Sequence, residues 1–173
     1  MKSQPRQLWL LRHAKAEPYQ TADYERALAQ KGIKQMSKIS HLLSALQSPD
    51  AIISSPALRA RQTTKLLCQQ LNLNLDQVQW DERIYDAPTS RLVKLLEQIK
   101  AGSNIVLLIG HNPGFEGLLE YLTVGLTGVS RVSADSYSIP TATLVQIDMP
   151  DEWKTLDPGC ASLRDILYSL QKT

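Results

Sequence analysis

Ile105-Val106-Leu107-Leu108-Ile109-Gly110-His111-Asn112-Pro113 is the stretch that decides the fold. Five apolar residues follow one another without polar alternation, as in a strand covered on both faces at the centre of a parallel sheet. Gly110 admits a close backbone approach, and His111 falls where such a sheet presents ligands, beyond the carboxyl ends of its strands. Asn112-Pro113 reads as an N-cap and first-turn pair for a helix from about Phe115 to Leu126.

Working outward, strands and helices alternate. Gln7-Leu8-Trp9-Leu10-Leu11 reads as a first buried strand ended by Arg12-His13, and residues 17–25 as a polar loop. Ile33, Met36, Ile39, Ser40, Leu43 and Leu46 recur at spacings of three and four, predicting an amphipathic helix stopped by Ser48-Pro49. Ala51-Ile52-Ile53 is a short apolar strand. Ser55-Pro56 is a cap and first-turn pair for a helix to about Leu71. Val78-Gln79-Trp80 is a brief strand, and Thr89 caps a helix through Ile99 that stops near Gly102. Residues 128–140 look irregular, Thr143 to Met149 is a final strand, and Leu163 to Leu170 a closing helix. The alternation predicts a three-layer α/β/α domain with a mainly parallel central sheet and helices on both faces. No repeat or linker divides the chain, so residues 1–173 are expected to form one domain.

Composition narrows the function. A net charge of +2 with scattered basic residues and few interleaved aromatics argues against a nucleic-acid binder. No apolar run approaches the roughly 20 residues of a membrane span, and the N-terminus lacks a signal-peptide core, so a cytoplasmic protein without membrane partners is expected. Cys68 and Cys160 fit no metal or redox spacing, and Cys68 sits among leucines as a small core residue.

Two of the three histidines, His13 and His111, lie at strand ends, as does Arg12. Arg59 falls in the first turn of a helix, where exposed backbone amides favour an anion. Singly these features are commonplace. Together, in the order one alternating fold requires, they predict a compact cationic pocket suited to a dianionic phosphoryl group.

On these motifs the chain resembles the histidine phosphatase superfamily, the phosphoglycerate-mutase-like group, and within it the small SixA-type phosphohistidine phosphatases. Leu11-Arg12-His13 matches the opening strand-end motif, and the run from Ser54 to Thr63 (SSPALRARQT) the second arginine motif. Gly110-His111-Asn112-Pro113 matches the second histidine motif, and Asp23-Tyr24-Glu25-Arg26-Ala27-Leu28 with Gly32 a motif of the SixA-like branch. The resemblance implies that His13 is the nucleophile and that Arg12, Arg59 and His111 bind the phosphoryl oxygens. It also implies that Arg26 contacts phosphate or substrate, with Asn112 in the same binding set. A phosphohistidine enzyme would form and be hydrolysed, with no cofactor and no metal.

Two departures from mutases bear on substrate. Ala14-Lys15-Ala16 follows His13 where mutases carry a glycine and then a hydroxyl residue, and the chain is short for substrate-capping insertions. An open site suits a phosphorylated protein, of which a histidine-containing phosphotransfer domain is one form, more than an enclosed small molecule. The general acid is not marked locally: Glu82 lies in the right stretch after the third strand, with Asp81 and Asp86 as rivals. Lys15 reads as a rim charge, His41 as a surface or boundary residue, and Trp153 and Pro158-Gly159 as packing. The leading expectation is a phosphohistidine phosphatase. A broad phosphatase for small phosphomonoesters, using the same pocket, is the alternative, and a non-catalytic phosphate-binding module the third reading.

Overall fold

The structure, a computed structural model, describes residues 5–18, 22–124 and 138–169. Six strands form one sheet: β1 (Arg6–Arg12), β2 (Ala51–Ser54), β3 (Val78–Trp80), β4 (Ile105–Gly110), β5 (Thr143–Met149) and β6 (Ser162–Tyr168), in the order β3-β2-β4-β1-β5-β6. The pairs β3–β2, β2–β4 and β4–β1 are parallel, and β1–β5 and β5–β6 are antiparallel. The helices are α1 (Gln30–Leu43), α2 (Leu58–Leu71), α3 (Thr89–Leu96) and α4 (Gly114–Val124).

Side-chain alternation along the central strands creates two cores. Leu8, Leu10, Val106 and Leu108 face α3 and α4, packing with Leu92, Leu95, Leu96, Phe115, Leu118 and Leu122. Trp9, Leu11, Leu107 and Ile109 face the other way, onto Met36, Ile39 and Leu43 of α1 and Leu67 and Cys68 of α2. All six residues of β4 are buried, which is why its sequence shows no polar alternation. The helix after β1 and the helix after β4 thus lie on opposite faces of adjacent strands. Their divergence leaves a crevice at the carboxyl ends of β1 and β4, the place where open α/β sheets bind ligands.

One expected element is of the wrong type. Leu163 to Leu170 does not form a closing helix; Ser162–Tyr168 is the edge strand β6, paired with β5 through a register shift at Gln146/Ile147. The spacing of Leu163, Ile166, Leu167 and Leu170 imitated a helical stripe. The outer edge of β5 carries a row of backbone donors and acceptors that need partners, and this demand overrides the local pattern.

Helix boundaries also shift. Helix α3 ends at Leu96, short of Gly102, and begins at Thr89 with Pro88 in the cap position. Helix α2 begins at Leu58, with Ala57 as its cap, so Ser55 and Pro56 precede it. Helix α4 begins at Gly114, one residue beyond the expected first-turn proline. Of the stretch expected to be irregular, residues 128–137 lie outside the described residues, as do Leu126 and Leu170.

Candidate active site

The crevice is a cavity of about 440 Å³ lined by Arg12, His13, Lys15, Ala16, Asp23, Arg26, Arg59, Tyr85, Asp86, His111, Asn112 and Thr141. Its floor is built by extending the sheet ladder past the strand ends. The His13 amide donates to the Gly110 carbonyl at 3.0 Å, and the Ser55 amide to the Ile109 carbonyl at 3.0 Å. Those bonds set the two histidines side by side, ring centroids 5.1 Å apart. A Cβ on Gly110 would lie 2.6 Å from Ile84 Cγ2 and 2.8 Å from Phe115 Cζ, so the strand end accepts only glycine without repacking.

His13 Nδ1 lies 2.8 Å from the Ala14 carbonyl oxygen, which can only accept. This fixes the proton on Nδ1 and leaves the Nε2 lone pair free of it. Arg59 Nε donates to that Nε2 at 3.2 Å. Burial pushes the His13 pKa down to about 3; the bond to Ala14 opposes this, and the positive charges of Arg59, Arg12 and Arg26 push it further down. His111 is likewise pushed down to about 3, by burial first and then by His13 and Arg59, with Asp23 opposing. Both rings are therefore neutral near pH 7. His111 Nε2 lies 2.7 Å from Ser55 Oγ, while its buried Nδ1 has no partner.

The arginines are tethered from behind. Arg12 Nη1 donates to the Ile139 carbonyl at 2.7 Å, and its buried Nε has no partner. Arg59 Nη1 donates to the Asp23 carbonyl at 2.7 Å, and Arg59 Nη2 to Asp23 Oδ2 at 2.9 Å. Arg26 Nε and Nη2 reach Asp23 Oδ1 at 2.9 and 2.8 Å, and Arg26 Nη1 donates to the Glu17 carbonyl at 3.0 Å. Fixed guanidiniums around a neutral imidazole can stabilise charge spreading over the equatorial oxygens of a transferring phosphoryl group.

The structure thus brings Arg12, His13, Arg26, Arg59, His111 and Asn112 to one cavity. Asn112 commits its amide nitrogen to Glu116 Oε1 at 2.7 Å and the Ile139 carbonyl at 2.8 Å, so it ties α4 to residue 139. Glu82 stands apart: exposed, outside the cavity lining, its carboxylate accepts the Tyr24 hydroxyl at 2.9 Å. Asp81 is bound to Arg83 at 2.7 Å, whereas Asp86 does line the cavity. Among the described residues, no three His, Cys, Asp or Glu side chains gather as a metal site would need. Sequence reasoning assigned no site role to Asp23, Ser55 or Tyr85. Asp23 stood in a quoted motif and Ser55 in another, but nothing in the sequence marked Tyr85.

An α/β sheet whose crevice holds two neutral imidazoles and three anchored arginines defines a phosphoryl-handling enzyme. The sequence profile of the histidine phosphatase superfamily (branch 1) matches residues 8–87, which takes in Arg12, His13, Arg26 and Arg59 and stops before His111. A crystal structure assigned to a SixA phosphohistidine phosphatase from Agrobacterium tumefaciens is 27% identical, with a TM-score of 0.74 over 95% of this chain and 99% of that one. The protein histidine phosphatase SixA complexed with tungstate superposes with a TM-score of 0.76 at 19% identity, over 94% and 97% of the two chains, and attests the fold. An uncharacterized protein of Mycobacterium leprae (strain TN) is 25% identical over 159 residues, covering 88% of this chain and 96% of that one. Residues 8–87 thus carry the histidine phosphatase superfamily profile, and the fold over nearly the whole chain is that of SixA phosphatase structures, which indicates a phosphatase.

Proposed function

We propose that the protein is a phosphohistidine phosphatase that takes the phosphoryl group from a phosphoprotein onto His13 and releases it to water. The observation that carries this reading is the orientation of His13: Nδ1 is tethered to the Ala14 carbonyl, and Nε2 meets Arg59 in a cationic cavity. In the first step Nε2 donates its lone pair to phosphorus as the P–N bond of the substrate breaks, and the departing imidazole takes a proton from solvent. In the second, a water oxygen attacks phosphorus, the Nε2–P bond breaks, and the proton of the water leaves to solvent. Arg12, Arg59 and His111 hold the phosphoryl oxygens through both steps, and no metal or cofactor takes part. Phosphoryl transfer depends mainly on such positioning and charge stabilisation.

The substrate in this reading is a cytoplasmic phosphoprotein; no helix among the described residues is long and apolar enough to cross a membrane. Imidazole is a far better leaving group than an alkoxide, so a substrate of this kind has little need of a general acid. Glu82 fills that role for phosphoesters in this reading if it leaves Tyr24.

The test is a substrate panel (a phosphohistidine protein, a sugar phosphate and p-nitrophenyl phosphate) run on wild type and His13→Ala. The expected result is preference for phosphohistidine, loss of turnover in the variant, and an acid-labile phosphoryl group trapped on His13. A label on another residue would overturn the covalent route, and preference for the sugar phosphate would favour the small-substrate reading.

A further inference from the structure

We propose that Asp23 is the positioning residue of this site, the shared anchor that aims Arg59 and Arg26 at the phosphoryl group. The inference rests on the reading of the cavity as a phosphoryl site. Asp23 opens the short 3-10 turn Asp23–Glu25, close to the amino end of α2. Three cavity-lining side chains converge on it. Its backbone carbonyl accepts Arg59 Nη1 at 2.7 Å, and Oδ2 accepts both Arg59 Nη2 at 2.9 Å and the Tyr85 hydroxyl at 2.8 Å. Oδ1 takes Arg26 through Nε and Nη2.

The geometry says which edge of Arg59 is left for a ligand. A guanidinium offers five N–H donors in a rigid planar fork. Asp23 occupies the end formed by Nη1 and Nη2, so the side edge, Nε–H with the second Nη2 hydrogen, is the one turned toward His13. Nε already lies 3.2 Å from His13 Nε2. A phosphoryl group arriving at Nε2 would meet that edge as a bidentate partner.

The carboxylate is built to keep its charge. Burial would raise the Asp23 pKa, but the Tyr85 hydroxyl, the Arg59 charge and Arg26 override it and hold the group down at about 2. Tyr85 in turn packs its ring edge-on to His111, centroids 5.6 Å apart, and to Tyr24, 4.9 Å apart. One acidic residue thereby connects Arg59 and Arg26 to an aromatic wall beside the second histidine.

Charge and position make opposite demands, which gives the test its power. Removing the carboxylate makes the cavity more cationic, so a simple anion should bind as well or better. The same change frees the Arg59 fork, so binding that requires transition-state geometry should suffer. We would measure turnover of p-nitrophenyl phosphate, competitive inhibition by sulfate and by vanadate, and thermal unfolding, for Asp23→Ala, Asp23→Asn and His13→Ala. The expected result is a fall in kcat of about 10- to 100-fold in Asp23→Ala, the scale of a small misplacement. Sulfate inhibition should be unchanged or tighter, and vanadate inhibition at least about tenfold weaker. Asp23→Asn, which keeps an acceptor of the same size, should lie between that variant and wild type, and it carries the test if the alanine variant does not fold. Near wild-type kcat in folded Asp23 variants, or equal weakening of sulfate and vanadate, would overturn the inference while an inactive His13→Ala left the phosphatase reading standing. Full activity in His13→Ala would instead sink that reading itself.

Discussion

At the scale of single residues, the imidazoles are the most exacting part of the molecule. A histidine in the unfolded chain titrates near 6.5, while folded His13 and His111 titrate at about 3. Between those values the unfolded state binds protons that the folded state refuses. Stability is therefore highest above about pH 6.5 and falls as pH drops toward 3, by about 1.4 kcal/mol per pH unit for each such ring. Asp23 acts lower: its contribution is present above 3.8 and is lost as pH falls through about 2. Urea midpoints measured from pH 7.5 to 4 should show this slope in wild type and a shallower one in His13→Ala; equal slopes would mean that His13 titrates normally in the fold. The same rings and their arginines carry the chemistry. Arg59→Ala and His111→Ala are each expected to lower turnover by about 10²–10³-fold, the scale of losing one preorganised transition-state contact. Steady-state assays on folded variants check this, and near-normal turnover in either would mean the pocket is misassigned.

At the scale of elements, the strand ends decide how well those residues are aimed. Gly110→Ala would drive a Cβ into Ile84 and Phe115, side chains that are themselves buried. Overpacking of this kind costs about 1–3 kcal/mol, and the shift would carry His111 with it. Loss of both thermal stability and turnover is expected; a fully active, equally stable variant would show that the strand end tolerates more than its packing suggests. Most of this level was legible in the sequence because β1, β2 and β4 carry continuous apolar runs and β5 is apolar at most of its buried positions. Strand β6 was not, because it is an exposed edge strand whose leucines happen to fall at helical spacing, and only the open edge of β5 makes it a strand. The cap residues misled for a related reason. Ser55 and Asn112 are good caps in isolation, but Ser55 sits 2.7 Å from His111 and Asn112 holds Glu116 and Ile139. The site was legible where residues stand at strand ends, as His13 and His111 do. It was not where a role depends on convergence from distant segments, as Asp23 and Tyr85 meet beside Arg59.

At the scale of the whole molecule, the fold holds a site that is cationic before any ligand arrives yet keeps its histidines neutral. Four cationic side chains, Arg12, Lys15, Arg26 and Arg59, line the cavity against two carboxylates, Asp23 and Asp86. That surplus suits a dianion, and the dianion should change the histidines in return. His111 Nδ1 is buried and unpartnered, so a bound oxygen there would favour the protonated ring and raise its pKa from about 3. Where the raised pKa reaches the working pH, proton uptake is expected to accompany binding, and by linkage a lower pH to strengthen it. Sulfate is the suitable probe, because it remains a dianion throughout the range of interest whereas phosphate titrates near neutrality. Calorimetric titration with sulfate should show affinity rising as pH falls from 8 to 5.5, with proton uptake detected by comparing buffers of different ionisation enthalpy. Each imidazole that protonates adds up to about tenfold per pH unit, and His111→Gln should flatten the dependence. Bound sulfate should also offset part of the acid destabilisation, since it stabilises the form it binds by mass action. Affinity that does not change with pH, with no proton taken up, would mean that the arginines alone hold the anion and that His111 stays neutral throughout.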